Sequence, residues 1–486
     1  MNKAEDQIKT RQKLITSGVL WSAANLVVTR GVSISTRLFL AHLLVPEAFG
    51  VIAMIVVVLG FINVFVDLGV KNALIQRPKD YKSDDLYNSA FWFLISIGLI
   101  LTIGFILIGI PLIIHFTGEL EIKKLGYIMG WSVFFHSLSI IPRVILLKEM
   151  KFNHLISAEI IAVLLSSALA IIFAKIGFGI WSLAIQHICL YIFRAFGFSY
   201  FTKWVPPLKF SWAELKQIQT FSTYFFGVKL TQHLRAHSDT FLVGIILNAT
   251  ALGLYNMAYL LTEVVRSAVA TIVNRILLPL FSKVQNSETE IAKIFHDSTK
   301  NMTLLIFPIS LSIFIHTDDI IHVLFNEEWY SMISAVKVLA VSGFIYSAGG
   351  PAIELFQGSG HPKSLFSLLY TNYLLVSLPL FVFLTYKYDI IGTSYAVVLG
   401  MLTLRIRMQI LINRLFPLIK KSIIKALMPG LISVILCIVL YKLFLFKVDF
   451  RYSILLYFLI FYGQIIFAFR ETILKTVFLN NSFLNS

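Results

Sequence analysis

Charge and cysteine are both scarce in this chain. Asp, Glu, Lys and Arg make up 14% of its 486 residues, against about 25% in a soluble domain. A water-facing globule of this length is thereby excluded. The two cysteines, Cys189 and Cys437, both lie in apolar runs, which excludes a disulfide framework and a cysteine-based metal site. Long polar connections are missing as well. The longest, near 74–87, 204–216 and 317–331, run to about a dozen residues and leave no room for an extramembrane catalytic domain. There is no GxxxxGK[ST] loop, and Ser359 to His361 belongs to a short connection rather than a nucleophile elbow. Asp84 with Asp85 and Asp318 with Asp319 are adjacent acids in short loops, the pattern of solvated turns rather than of a metal centre. No small-residue cleavage site follows the polar stretch Met1 to Lys13, so no signal peptide is expected. The reading is of a protein that is not an enzyme and needs no cofactor.

What the chain has in abundance is apolar length. It is 58% hydrophobic with a mean hydropathy of +0.83, and apolar runs of about 20 residues, enough to cross a bilayer as helices, recur from end to end. The expected fold is all-α and polytopic, with about fourteen spans from 14–44 to 451–475. Lysine and arginine favour alternate loops by roughly three to one, which places both termini in the cytoplasm. The formal net charge of +16 then reflects this bias and contact with anionic membrane lipids, not nucleic acid.

The stretch Leu14 to Arg77 recurs weakly as Phe221 to Val284, with Gly50 falling on Gly253 and no gap between. Each copy reads as a helical hairpin. The repeat, with the helix-stopping Pro206-Pro207 between its copies, divides the chain into an N-lobe (1–203, six spans), a linker (204–216), a C-lobe (217–415, six spans) and two appended spans with a tail (416–486). Two pseudo-symmetric lobes so arranged are parallel repeats, a transporter plan. Ser211 is placed to cap the helix that follows the linker.

Charges inside apolar spans are costly and face protein or water. In the first span Thr29, Arg30, Ser33, Thr36 and Arg37 share one helix arc with Ser22 and Asn25. Carried to the second copy, the arc selects Lys229, Gln232, His233, Asp239 and Thr240, with Arg235 on its edge. Two long helices facing one wet cavity between lobes are expected. Asp67 lies about 28 Å and Arg30 about 22 Å below the turn of their hairpin, within pairing distance given ordinary tilt. Glu263 and Arg235 are each about 18 Å down, and Glu263 shares a helix face with Arg266. The expected substrate-binding set is Arg30, Arg37, Lys229, Arg235 and Arg266, since an arginine fork suits a phosphate. Asp67, Asp239 and Glu263 are the expected cation-coupling or ion-pair carboxylates. Arg407, Arg275 and Lys300 are expected to snorkel to headgroups.

Several stretches resemble one family in order and spacing. Arg37 to Gly50 (RLFLAHLLVPEAFG) is similar to the first hairpin turn of Wzx-type oligosaccharide flippases, and Asp67 to Arg77 (DLGVKNALIQR) to the segment after it. Lys151-Phe152, Gly177 to Ala184 (GFGIWSLA), Ala251 to Tyr255 (ALGLY) and Phe325 to Trp329 (FNEEW) add to the resemblance. It covers nearly the whole chain. It is closest to the lipopolysaccharide, colanic acid and teichuronic acid exporters of the multidrug/oligosaccharidyl-lipid/polysaccharide superfamily. The resemblance implies alternating access, a basic cavity, and an undecaprenyl-diphosphate-linked oligosaccharide moved across the bacterial cytoplasmic membrane. It also implies membrane lipids and polysaccharide-assembly proteins as partners. The rival expectations are a small-molecule or drug antiporter of the same superfamily, with a less basic cavity, a membrane-embedded polymerase or glycosyltransferase, and an assembly scaffold.

Overall fold

A computed structural model describes residues 28–76 and 84–440. Among these residues there is no strand, and the chain is an all-α, multi-pass membrane protein. Backbone polar groups find no water inside a bilayer, so helices that satisfy their own hydrogen bonds are what such a sequence can form. The start of the first expected span and the whole of 451–475 lie outside the described residues.

Residues 28–43 form α1. After a turn at Val45, α2 (Pro46–Asp67) begins with its proline in the first turn, where no N–H is missed. It ends because Leu68 and Gly69 take positive φ, 43° and 78°, and α3 (Val70–Gln76) restarts the helix. A π-turn at Phe105–Gly109 joins α4 (Asp84–Gly104) to α5 (Ile110–Thr117). Pro111 lies just beyond it, and the wider turn absorbs the lost N–H and the ring's clash with the preceding turn. α6 (Glu121–Lys148), α7 (Phe152–Lys175) and α8 (Trp181–Thr202) follow. Gly177 and Gly179, at φ of 87° and 54°, shape the turn between α7 and α8.

The linker is stapled to α4. Trp92 Nε1 donates to the Pro207 carbonyl at 3.0 Å, and the Ser211 N–H donates to Ser89 Oγ at 2.8 Å. Ser211 does precede α9 (Trp212–Ile246), but its hydroxyl makes no capping bond. The next helix, α10 (Ala249–Lys283), is equally long at 35 residues. Each would measure about 52 Å, well beyond a hydrocarbon core of about 30 Å.

Contacts divide the chain after Leu254. In the first unit α6 packs on α4 and α8, and α7 on α8. Leu40 of α1 and Leu44 just after it pack with Ala170 and Leu183. The second unit continues through α11 (Glu288–Ile315), α12 (Thr317–Leu324), α13 (Ile333–Ala348), α14 (Ala352–Gly358), α15 (Pro362–Asn372), α16 (Leu378–Leu415) and α17 (Pro417–Leu440). Its core is Phe281, Phe295, Leu355, Phe356 and Ile412. Two details depart from the sequence reading. The span expected over 332–357 is two helices, broken at Gly349-Gly350-Pro351, with Gly350 at φ 52°. The connection 317–331 is itself helical and holds a fully buried Trp329. The break expected between spans 363–386 and 389–415 is present: α16 turns back at Tyr388 and Asp389, which leave helical φ/ψ.

The repeat acquires a physical meaning where its copies meet. A Cβ added at Gly50 would lie 1.6 Å from the Ala249 carbonyl oxygen, and one added at Gly253 would lie 1.9 Å from the Pro46 carbonyl oxygen. Under the alignment that puts Gly50 on Gly253, Pro46 falls on Ala249. The contact is therefore reciprocal, each copy's glycine lying on the other's helix start. Only glycine permits such backbone approach. Gly50→Ala and Gly253→Ala are each expected to lower stability by about 3 kcal/mol or more, since backbone rather than a side-chain tip must shift. Gly31→Ala, where nothing lies within 4 Å, should be close to neutral. Thermal unfolding of the three purified variants in one detergent checks this.

Candidate functional site

From the glycine contact, α2 runs alongside α9. Met54 lies under Gly244. His233 lies 3.1 Å from where a Gly60 Cβ would be and 6.3 Å, ring to ring, from Phe61. Phe65 meets Phe226 edge-on at 5.1 Å. The seam closes with an ion pair between Asp67 and Lys229. Asp67 is the last residue of α2, and its two oxygens have separate partners. Oδ1 accepts the Lys71 N–H at 3.1 Å, capping α3, while Oδ2 accepts from Lys229 Nζ. Sequence spacing offered Arg30 as the cation for Asp67. The structure sets Lys229 there, from the other copy of the repeat, because pairing depends on which helices pack and not on depth alone.

The other expected residues are distributed as follows. Arg30 and Arg37 are exposed on α1. The hydroxyls on their arc turn back on the helix, Ser33 to the Thr29 carbonyl at 2.7 Å and Thr36 to the Val32 carbonyl at 2.8 Å. Arg37 has no hydrogen-bond or ion-pair partner among the described residues. Arg235 is exposed on α9. Asp239 is buried and accepts the Thr240 N–H at 2.7 Å. In the second unit Arg266 pairs with Glu263 one turn earlier on α10, donates to Tyr259 Oη and Met401 Sδ, each at 3.1 Å, and lies over the Tyr346 ring at 5.7 Å. Its charge is thus enclosed on several sides.

Two polar constructions were not anticipated. Within the first unit Arg194 Nη2 donates to Glu159 Oε1 at 2.5 Å, joining α8 to α7. Arg194 also lies 5.7 Å from the Tyr191 ring, which His136 and His187 flank at 5.6 and 5.1 Å. The signal was present in the sequence: both charges sit about 11 Å in from the same end of adjacent helices. Within the second unit Arg405 donates to the Gly349 carbonyl, and to the Ala348 carbonyl at 3.4 Å. These are carbonyls that the break after α13 leaves without helical partners. Among the described residues no group of His, Cys, Asp or Glu could hold a metal ion. Outside the membrane, burial pushes the Glu119 carboxyl up, and the neighbouring Glu47 and Glu121 push the same way.

A family profile described as "Polysaccharide biosynthesis protein" matches residues 39–334. The lipopolysaccharide biosynthesis protein WzxC of Escherichia coli (strain K12) is 26% identical over 358 residues, 71% of this chain and 70% of that protein. The succinoglycan biosynthesis transport protein ExoT of Rhizobium meliloti (strain 1021) is 24% identical over 354 residues, 73% and 71% of the two chains. Among solved structures the lipid II flippase MurJ superposes with a TM-score of 0.74 at 17% identity, covering 94% of this chain and all of that one. At that identity the likeness speaks to the fold.

The Asp67–Lys229 pair is largely enclosed, at 13% and 27% side-chain exposure, so removing one partner strands the other. Lys229→Met is expected to destabilise the protein by about 3 kcal/mol. Adding Asp67→Asn, which keeps an acceptor for the α3 cap, should recover more than half of that. Unfolding midpoints of the single and double variants decide it: an additive double would mean that the two groups do not interact.

Proposed function

The chain belongs to the polysaccharide biosynthesis protein family, and from that premise we propose that it is a flippase for an undecaprenyl-diphosphate-linked oligosaccharide. The unit would pass from the inner to the outer leaflet of the bacterial cytoplasmic membrane, for an envelope or secreted polysaccharide. Relatives named for lipopolysaccharide biosynthesis and succinoglycan transport support this reading over a drug antiporter. The observation that carries it is Arg37, exposed on α1 with no hydrogen-bond or ion-pair partner among the described residues. An exposed cation at membrane depth needs water or an anion.

The substrate's difficulty in crossing lies in its middle. The polyprenyl tail can stay in lipid, while the diphosphate must pass hydrocarbon. Arg30 and Arg37 stand about 10 Å apart along the helix, so a diphosphate would meet positive charge at two successive depths and be held firmly at neither. Lys229 and Arg266, already matched by Asp67 and Glu263, would act when the pairs exchange partners. Asp67, Asp239 and Glu263 are the proposed carboxylates for coupling to a cation. The proposed organisation has halves 1–203 and 217–415 working as parallel repeats, with both termini cytoplasmic and polysaccharide-assembly proteins as neighbours.

Arg37→Ala is expected to cut flipping of a polyprenyl-diphosphate oligosaccharide in proteoliposomes by about tenfold, the value of one charge-assisted contact, with normal insertion. Arg37→Lys should regain part of the rate. Wild-type rates for Arg30→Ala and Arg37→Ala across a range of substrate concentrations would overturn the assignment. Topology has its own check, by cysteine labelling at Ser211 and Asp318 in intact cells. Label should reach position 318 and not 211, and the reverse result would invert the orientation.

A further inference from the structure

The end of the α15–α16 hairpin holds a cavity of about 620 Å³ that the transport reading does not use. The chain turns back at Tyr388 and Asp389, so the start of α15 and the end of α16 come to the same level. Three cations line the space, Lys363 from α15 and Arg407 and Arg414 from α16, together with Ser364, Ser367 and Thr371. No carboxylate lines it. Arg407 and Arg414 are two helical turns apart on one face, about 10 Å along the axis. Arg414 and Lys363 are exposed, and Arg407 is half-buried. The Arg407 guanidinium donates to Thr371 Oγ1 at 2.7 Å and Asn372 Oδ1 at 3.4 Å. These acceptors are neutral, and no carboxylate among the described residues pairs with it. A guanidinium at that depth, facing an open groove with its charge unmatched, calls for an anion from outside the protein. Snorkelling alone does not describe it, since its donors are held inward by Thr371 and Asn372.

The surroundings identify the anion's carrier. Phe366 and Tyr370 stack at 5.8 Å on the same helix and are 54% and 44% exposed, and Ile410, between the two arginines, is 49% exposed. A free ion has no use for such a surface, whereas an acyl chain does. We propose that this groove is a binding site for an anionic phospholipid, with its headgroup phosphate between Lys363 and Arg414, its glycerol oxygens at the serines and its chains over Ile410 and the Phe366–Tyr370 face. Arg407 supplies a second, deeper positive site. Lipid-facing basic pockets between helices take phosphate headgroups in this way. The leaflet is the inner one if the orientation proposed above holds; the chemistry of the groove does not depend on it. None of its residues is among those proposed above to meet the transported lipid.

Full-length protein purified into mild detergent, offered equal phosphatidylglycerol and phosphatidylcholine, gives the test by native mass spectrometry. The wild type should retain phosphatidylglycerol preferentially. Lys363→Gln/Arg414→Gln should lower that retention by more than tenfold and Arg407→Gln by about fivefold. Arg407→Lys should stay within about twofold of wild type, since charge at the phosphate matters most. Lys363 and Arg414 are exposed, so their double variant tests the site even if Arg407→Gln loses stability. Equal retention of the two lipids by the wild type, or unchanged retention in the double variant, overturns the proposal. An undecaprenyl diphosphate arm separates the sources. If it displaces phosphatidylglycerol with the same residue dependence, the groove is a substrate site and the proposal fails. If it does not, the proposal stands whatever the flipping assay shows for Arg30 and Arg37.

Discussion

Backbone touching backbone at Gly50 and Gly253 is the constraint from which the first unit is built. Two helix starts crossing with no side chain between them leave little freedom in distance or rotation. The seam then follows as a matter of register. With Gly50 against Ala249, α2 and α9 must run side by side, and Met54, Gly60, Phe65 and Asp67 meet their partners in sequence along it. A hydrophobic effect between helices is absent in lipid, so close packing and polar ties supply the association instead. Glycine at one end and an ion pair at the other provide both.

The polar residues of the interior divide by what they satisfy. Some answer other side chains, as Arg194 answers Glu159 across α7 and α8. Arg405 instead answers the backbone, covering carbonyls left open where Gly349-Gly350-Pro351 interrupts a span. Irregular backbone at membrane depth is tolerated when protein groups complete it. The π-turns at Phe105–Gly109 and Tyr373–Ser377, each set just before a proline, solve a related problem without any side chain. Arg37 on α1, and Lys363 and Arg414 at the end of the α15–α16 hairpin, remain exposed after this accounting.

Much of the architecture was legible in the sequence because the bilayer leaves few options. Apolar length located most helices to within a few residues, and the repeat located the two turns that cross. Local punctuation was less visible. Gly349-Gly350-Pro351 falls inside an apolar run that scores as one span, and the Leu68-Gly69 break hides in the same way. At the candidate site, composition and helical arcs found the charged residues but not their partners. Glu263 with Arg266 was readable because one helix turn separates them. Asp67 with Lys229 was not, since 162 residues intervene and the choice of Lys229 over Arg30 is made by helix packing.

The Asp67 carboxylate serves two masters with two oxygens. One belongs to the peptide N–H that opens α3 and is needed as long as that short helix exists; the other holds an ammonium on a four-carbon tether. The first attachment is positional and the second is exchangeable. The ammonium is held only through its flexible tether, while the acid is fixed by the backbone bond. Loss of the ammonium would therefore leave the acid in place and the end of α2 intact.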